Sequence, residues 1–366
     1  MPRIHPFQAL RPTPARAREF SCERLDHLPP ERWIELAERV PRSVAGLMHG
    51  EGAAAVLEAC RESRSMIEEP GLAMYMHRQV KGGRRVAGVV ALLEAEALAN
   101  GSVLPMRESC PDRGRAWRTA QAGAGAQLDP VIVGVRMTEA IQDLLEREMN
   151  DRPLFHVLAD DGATHTLWRG CRANELAEAF RDVGGYLLEG HARARHVAAD
   201  GTLMAMLVPL DAMAPNWSVV VLEGDIGNRV AAWLAAQGSP VEQPGEPPAG
   251  WVDACVDDGR WFRCPLPPPR RAASAIEMTD LGRARALVAM MAGPDAVRGI
   301  RLVPGDGQAG SVQRMATRGA ALMLARPSIA ELGALADQGV LLPAGSTWFE
   351  PRIRSGLWLR RTTMPK

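Results

Sequence analysis

The densest run of groups able to do chemistry is GYLLEGHARARHV, residues 185–197. An apolar stretch ends at Gly190 and a helical string begins at once. The first N–H groups of such a helix lack intrahelical acceptors, and the partial positive charge there favours an anion. His191, Arg193 and Arg195 add side-chain donors at the same turn. Arginine's forked donor set matches a phosphate or carboxylate. Residues 191 and 195 share one helical face, whereas 193 lies on another. Glu189 and His191 are the groups there that could move a proton beside a bound anion. A solvated arginine-rich helix carries the same local pattern, so both readings stand at this point.

Other positions offer related chemistry. Asn228-Arg229, near the start of the helical string after WSVVVLE, reads either as an anion contact or as a helix cap with a surface arginine. Ser346 and Thr347 precede Arg352 and Arg354, which puts two hydroxyls and two guanidiniums in one short segment. Glu350 could pair with either arginine and make that segment structural. His165 sits in an alternating string beside Trp168, the setting of a satisfied core histidine or of a general base.

The elements that must carry these groups follow from apolar spacing. Helices are predicted over 31–39, 53–62, 141–148, 174–183 and 191–199, near 278–292, and over 331–338. Residues 73–80 and 84–93, joined by Lys81-Gly82-Gly83, read as a hairpin. Further strands are predicted over 129–135, 163–170, 185–190, 202–210, 217–223, 299–304 and 320–326. Strands mixed with helices and hairpins indicate a mixed α/β fold, α+β-like, with helices flanking mixed sheets. The Pro/Gly-rich 238–250 segment suggests three parts: an N-terminal α/β domain over 1–237, a linker or long loop over 238–271, and a C-terminal α/β segment over 272–366 packing back on the first.

Composition removes several function classes. Lys81 and Lys366 are the only lysines, so a Schiff base or a Walker-type phosphate lysine is not expected, and no GxxxxGK[ST] string occurs. The 43 basic residues cancel the 43 acidic ones, which removes a bulk electrostatic case for nucleic acid. The six cysteines are scattered without a CxxC pair, suiting buried reduced thiols rather than zinc or a disulfide framework. No run approaches a membrane span and the N-terminus does not read as a signal peptide, so a cytoplasmic protein without a membrane partner is expected.

Several strings together carry a family resemblance: IHPFQALRP (4–12), MYMHRQ followed by VAGVVAL, ATHTLWRG (163–170), GYLLEGHARARHVAA, EGDIGNRVAAWL (223–234) and LLPAGSTWFEPRIRSGL (341–357). In order and spacing the chain resembles domain-of-unknown-function family 1015. The resemblance implies a ParB-like phosphate-binding turn at Gly190 in the N-terminal part, and phosphoryl transfer on serine, phosphoserine or a similar small hydroxy acid. A nucleotide and a divalent cation are cofactors consistent with it, although no ligand cluster in the sequence demands a metal. Asp26 falls at the aspartate of the family's "PPYDV" element, with Glu23-Arg24-Leu25 before it.

Departures from the family pattern are equally specific. Its second histidine is Ala192 here, its leading aspartate is Glu189, its His-Glu positions are Met106 and Arg107, and its "PPKSTWF" lysine is Gly345. Glu108 replaces the lost carboxylate only with a one-residue shift. Methionine, alanine and glycine cannot act as acid or base. Two functions are therefore read here, the catalytic one leading and a binding one as its alternative. One is a divergent phosphoryl-transfer enzyme, kinase- or phosphatase-like, with Glu189, His191 or Glu108 as acid/base. The other is a non-catalytic paralogue that binds a phosphorylated metabolite or nucleotide.

Overall fold

The computed structural model describes residues 3–28, 30–48, 52–195, 201–271, 273–305 and 308–362. The chain divides into two units. The first comprises 1–105, 109–213 and 351–366, and the second comprises 106–108 and 214–350.

The first unit is organised on a nine-stranded mixed sheet. Its strands run in the order Val103–Pro105, Gly185–Glu189, Val131–Val135, Thr202–Pro209, Arg84–Glu94, Tyr75–Lys81, Thr164–Arg169, Phe155–Leu158, with Ile4–His5 also pairing to Arg84–Glu94. Two pairings are parallel, Gly185–Glu189 with Val103–Pro105 and Thr202–Pro209 with Val131–Val135; the others are antiparallel. The long hairpin forms as expected, with Gly82 (φ +54°) and Gly83 (φ +79°) supplying left-handed turn conformations that side chains disfavour.

Both faces of its central strands, Arg84–Glu94, Val131–Val135 and Thr202–Pro209, are largely buried. Val89, Ala91, Leu93, Val131, Val133, Leu203 and Leu207 pack in a core with Leu144 and Leu145 of the helix Glu139–Met149 and Leu176 of the helix Ala173–Ala179. A second core gathers Phe20, Leu25, Trp33, Leu36, Val44, Leu57, Leu128 and Leu359 around Trp117. Trp117 is carried by the helix Pro111–Ala124, which proline opens and Gly125 (φ +60°) closes.

The second unit has a six-stranded sheet in the order Ser239–Pro240, Trp261–Pro265, Trp251–Val256, Gly319–Leu324, Val219–Glu223, Arg301–Val303. The helices Gly224–Gln237, Asp280–Ala292 and Ala309–Met315 belong to the same unit. Residues 238–271, expected as a linker or long loop, carry three strands of this sheet. Their prolines and glycines flank a β-hairpin, Trp251–Val256 with Trp261–Pro265, whose Val252, Ala254, Cys255, Val256, Trp261, Phe262 and Cys264 are buried while Trp251 is exposed. Trp217 also departs from expectation, ending a separate strand, Ala214–Trp217, rather than opening the next one. The predicted helix over 191–199 is described only as His191–Ala194, because 196–200 lie outside the described residues.

Candidate functional site

The Gly190 turn forms at the place the sequence marks. Gly190 takes a left-handed conformation (φ +89°, ψ +21°) between the strand Gly185–Glu189 and the short helix His191–Ala194. A Cβ at Gly190 would lie 2.7 Å from Arg193 Nη2 and 2.7 Å from Val131 Cγ1, so both backbone conformation and space require glycine.

The turn is not open to solvent. His191 is 4 % exposed and Arg193 2 %. Arg193 Nη1 donates to Asp26 Oδ1 at 2.7 Å, and Nη2 donates to the Pro130 carbonyl at 3.0 Å and lies 3.9 Å from Asp129 Oδ2. Its guanidinium sits 4.4 Å from the centre of the Trp117 ring, a cation–π stack. Arg24 completes the group. Its Nε donates to Asp26 Oδ2 at 3.1 Å, its Nη2 donates to the same Pro130 carbonyl at 2.9 Å, and its Nη1 lies 2.8 Å from Asp129 Oδ2. That last contact is an ion pair without hydrogen-bond alignment, because Nη1 has no aligned acceptor. Ser355 Oγ donates to Asp129 Oδ2 at 2.8 Å and accepts from the Leu25 amide at 3.2 Å.

Two arginines and two aspartates thus form a buried quartet with no net charge. Burial works to lower the pKa of Arg24, but Asp129, Asp26 and Glu189 outweigh it and the shift is upward. Burial lowers Arg193 from its ordinary value against the pull of Asp26, although an arginine stays charged under ordinary conditions. Burial also raises Asp129, with Arg24 and Arg193 opposing. Glu189 is itself buried beside this group and Arg195 is exposed. Of the sequence-marked residues, the structure brings Asp26, Glu189, Gly190, His191 and Arg193 together. Arg24, Trp117, Asp129 and Ser355 complete the arrangement unannounced, since nothing local links Trp117, Asp129 or Ser355 to a turn more than 60 residues away.

The remaining candidates have their own settings. His165 is 1 % exposed and its Nδ1 is 3.0 Å from Nε2 of His77, which sequence reading passed over. Burial, then Arg354, pushes the pKa of His165 down to about 4, and burial holds His77 well below its usual value. Both are neutral near pH 7, the condition of a core histidine. The expected cap at Asn228 is corrected: Glu223 is the N-cap of Gly224–Gln237, and Asn228 is an exposed residue of the second turn. Arg229 pairs with Asp225 one turn earlier, at 3.1 Å on an exposed face. Ser346 and Thr347 have buried hydroxyls in the second unit, where the strand Thr347–Glu350 pairs with Ala214–Trp217. Arg352 lies in the first unit and its carbonyl accepts from Gln79 Nε2 at 3.1 Å. Glu108 is exposed, and its amide donates to the Leu342 carbonyl at 2.8 Å within the second unit.

For a metal, the group Glu148, Asp151 and Cys171 places three ligand atoms within 4.8 Å of one another. Glu148 already accepts from the amides of Cys171 (2.9 Å) and Arg172 (2.8 Å), so its oxygens are committed to the protein. Among the described residues no helix is long and apolar enough to cross a membrane.

Comparison with known proteins adds the following. No curated protein matches the chain. Similar solved structures include a free serine kinase in complex with AMP (13% identity, covering 71% of this chain and 86% of that one, TM-score 0.36). Others are SbnI with C-terminal truncation from Staphylococcus aureus (10% identity, 72% and 84% covered, TM-score 0.37) and a conserved hypothetical protein from Pyrococcus furiosus (11% identity, 72% and 92% covered, TM-score 0.36). Likeness at these scores decides neither fold nor activity. The family match is of another kind, because it runs through the hairpin, the His165 strand, the Gly190 turn and the quartet's Arg24, Asp26, Asp129 and Arg193. Residues 4–201 match the family described as protein of unknown function (DUF1015), and the chain belongs to that family.

Proposed function

We propose that this chain is a non-catalytic member of its family that binds a small phosphorylated metabolite or nucleotide without turning it over. The observation that carries the non-catalytic part of this reading is the quartet. Donors that would grip a phosphoryl group, and the carboxylate that would accept a proton, are spent on one another inside the protein. A ligand entering the turn would have to part Asp26 from Arg193 and strand a buried charge, which costs about 3–5 kcal/mol. The loss of titratable groups at Met106, Ala192 and Gly345 supports the same reading. A direct test mixes the purified protein with ADP or ATP, serine or phosphoserine, and magnesium. The expected result is a rise in melting temperature with at least one of these compounds and no transfer or release of phosphate. Turnover that disappears in Asp26→Asn would overturn it.

A second reading, phosphoryl transfer on a small hydroxy acid, draws support from one contact. Asp26 lies 2.7 Å from Arg193, and a carboxylate beside a guanidinium is the pairing that an acceptor hydroxyl and a phosphoryl group would use. In that reading ligand binding opens the pair, Glu189 and His191 attend the transfer, and Arg195 faces the leaving group. The turnover assay separates the two.

A further inference from the structure

A different part of the first unit has the chemistry of an anion site. A cavity of about 600 Å³ opens there, lined by Arg354, Arg39, Ser21, Cys22, Leu36 and Val40 among others. This volume is typical of small-molecule sites. Arg354 is 7 % exposed, yet it meets no carboxylate within ion-pair distance among the described residues. Its Nε donates to Ser21 Oγ at 2.7 Å, and its Nη2 donates to the Ser21 carbonyl at 2.8 Å and the Arg18 carbonyl at 3.3 Å. All three acceptors are neutral, and Nη1 has no acceptor among the described residues. A buried cation satisfied only by neutral oxygens keeps an unmet preference for an anion.

The other charges of the lining leave that preference in place. Asp160 pairs with Arg18 at 2.6 Å, Asp161 with Lys81 at 2.8 Å, Glu19 with Arg16 at 2.5 Å and Glu23 with Arg32 at 3.6 Å. Each acid thus has a cation nearer than Arg354, Glu23 sharing Arg32 with Glu35, and Asp160 and Asp161 act on Arg354 only from beyond ion-pair distance. Arg39, at the end of the helix Pro30–Arg39, has no ion pair or hydrogen bond of its side chain among the described residues. The Cys22 thiol, pushed up to about 12 by burial, is neutral and adds no competing charge. Leu36 and Val40 supply an apolar wall.

We propose that this cavity binds a small phosphate monoester, with its phosphoryl oxygens held by Arg354 Nη1 and by Arg39 and its carbon skeleton against Leu36 and Val40. A monoester is favoured over a lone carboxylate because two independent guanidiniums face one cavity and a dianion with three oxygens can engage both. The inference rests on the binding reading above for the kind of ligand and adds the place where it is held.

Calorimetric titration with O-phosphoserine, serine and inorganic phosphate tests it. O-phosphoserine should bind the unaltered chain measurably, and serine at least tenfold more weakly. Arg39→Gln, an exposed change expected to leave the fold intact, should weaken phosphoserine about tenfold, as loss of one charge-assisted contact implies. Arg354→Gln should abolish binding, and circular dichroism shows whether that variant is folded. Phosphoserine binding that survives Arg39→Gln unchanged but is lost in Arg195→Gln would place the ligand at the Gly190 turn and overturn this site while sparing the binding reading. Equal binding of serine and phosphoserine would overturn the monoester assignment. No binding of any of the three, and none of ADP or ATP, would sink both.

Discussion

Asp26 and Arg193 offer the sharpest test of whether the quartet is structural. Asp26→Leu removes one of two carboxylates that neutralise two guanidiniums and leaves an uncompensated buried charge. Arg193 then loses its 2.7 Å contact and Arg24 its 3.1 Å contact. Breaking one side of a buried pair costs about 3–5 kcal/mol. Arg193 keeps the Pro130 carbonyl and the Trp117 ring, so the expected loss is near the lower end, about 3 kcal/mol. Arg193→Met strands Asp26 in turn, with a loss of similar size. The double variant removes both charges and leaves Arg24 with Asp129, 2.8 Å apart, as a neutral pair. It should therefore cost less than the sum of the single changes by about 2 kcal/mol or more. Urea unfolding measures these differences. Because two units need not unfold together, hydrogen exchange of the strands Val131–Val135 and Gly185–Glu189 assigns the loss to the first unit. Single variants that each cost less than about 1 kcal/mol and add without coupling would refute the structural assignment.

Other outcomes follow from the same geometry. Gly190→Ala forces a side chain into a φ of +89° and 2.7 Å from two neighbours, so it should lower stability by more than about 1 kcal/mol in a thermal melt. His165 titrates near 4 when folded against 6.5 when unfolded, so between those values the unfolded chain holds the extra proton and stability falls as pH falls. The loss reaches about 3 kcal/mol by pH 4; His77, shifted the same way by burial, steepens it, and His165→Gln should flatten the urea-midpoint profile over that window. Burial pushes Cys22 up to about 12 and Cys255 and Cys264 up to about 11. A thiol reagent at pH 8 should therefore label exposed Cys171 in the native protein and reach those three only after unfolding.

Much of the scaffold was legible because its signals are local. The Lys81-Gly82-Gly83 turn, the 53–62 helix and the Val131–Val135 strand can be read from spacing and composition, which act over a few residues. Gly190 was equally legible as a strand-to-helix turn. What its side chains do was not. A local string shows Arg193 as a donor near a helix start, and the same string is compatible with a ligand, with water, or with an aspartate 167 residues earlier in the chain. The 238–271 segment was legible only in part, since proline and glycine at the ends of a hairpin resemble those of a linker or long loop until the sheet partner is known.

By itself the sequence determined the family, the mixed α/β class, the position of the Gly190 turn, and the absence of a lysine able to do Walker or Schiff-base chemistry. Tertiary structure alone decided that Arg193 and Asp26 neutralise each other beside Arg24 and Asp129, while Arg354 stays buried with no carboxylate at ion-pair distance among the described residues. The reason is electrostatic. A charge buried in a medium of low polarisability is governed by whichever opposite charge the fold brings within about 3 Å, and such neighbours come from remote segments whose pairing no local pattern encodes.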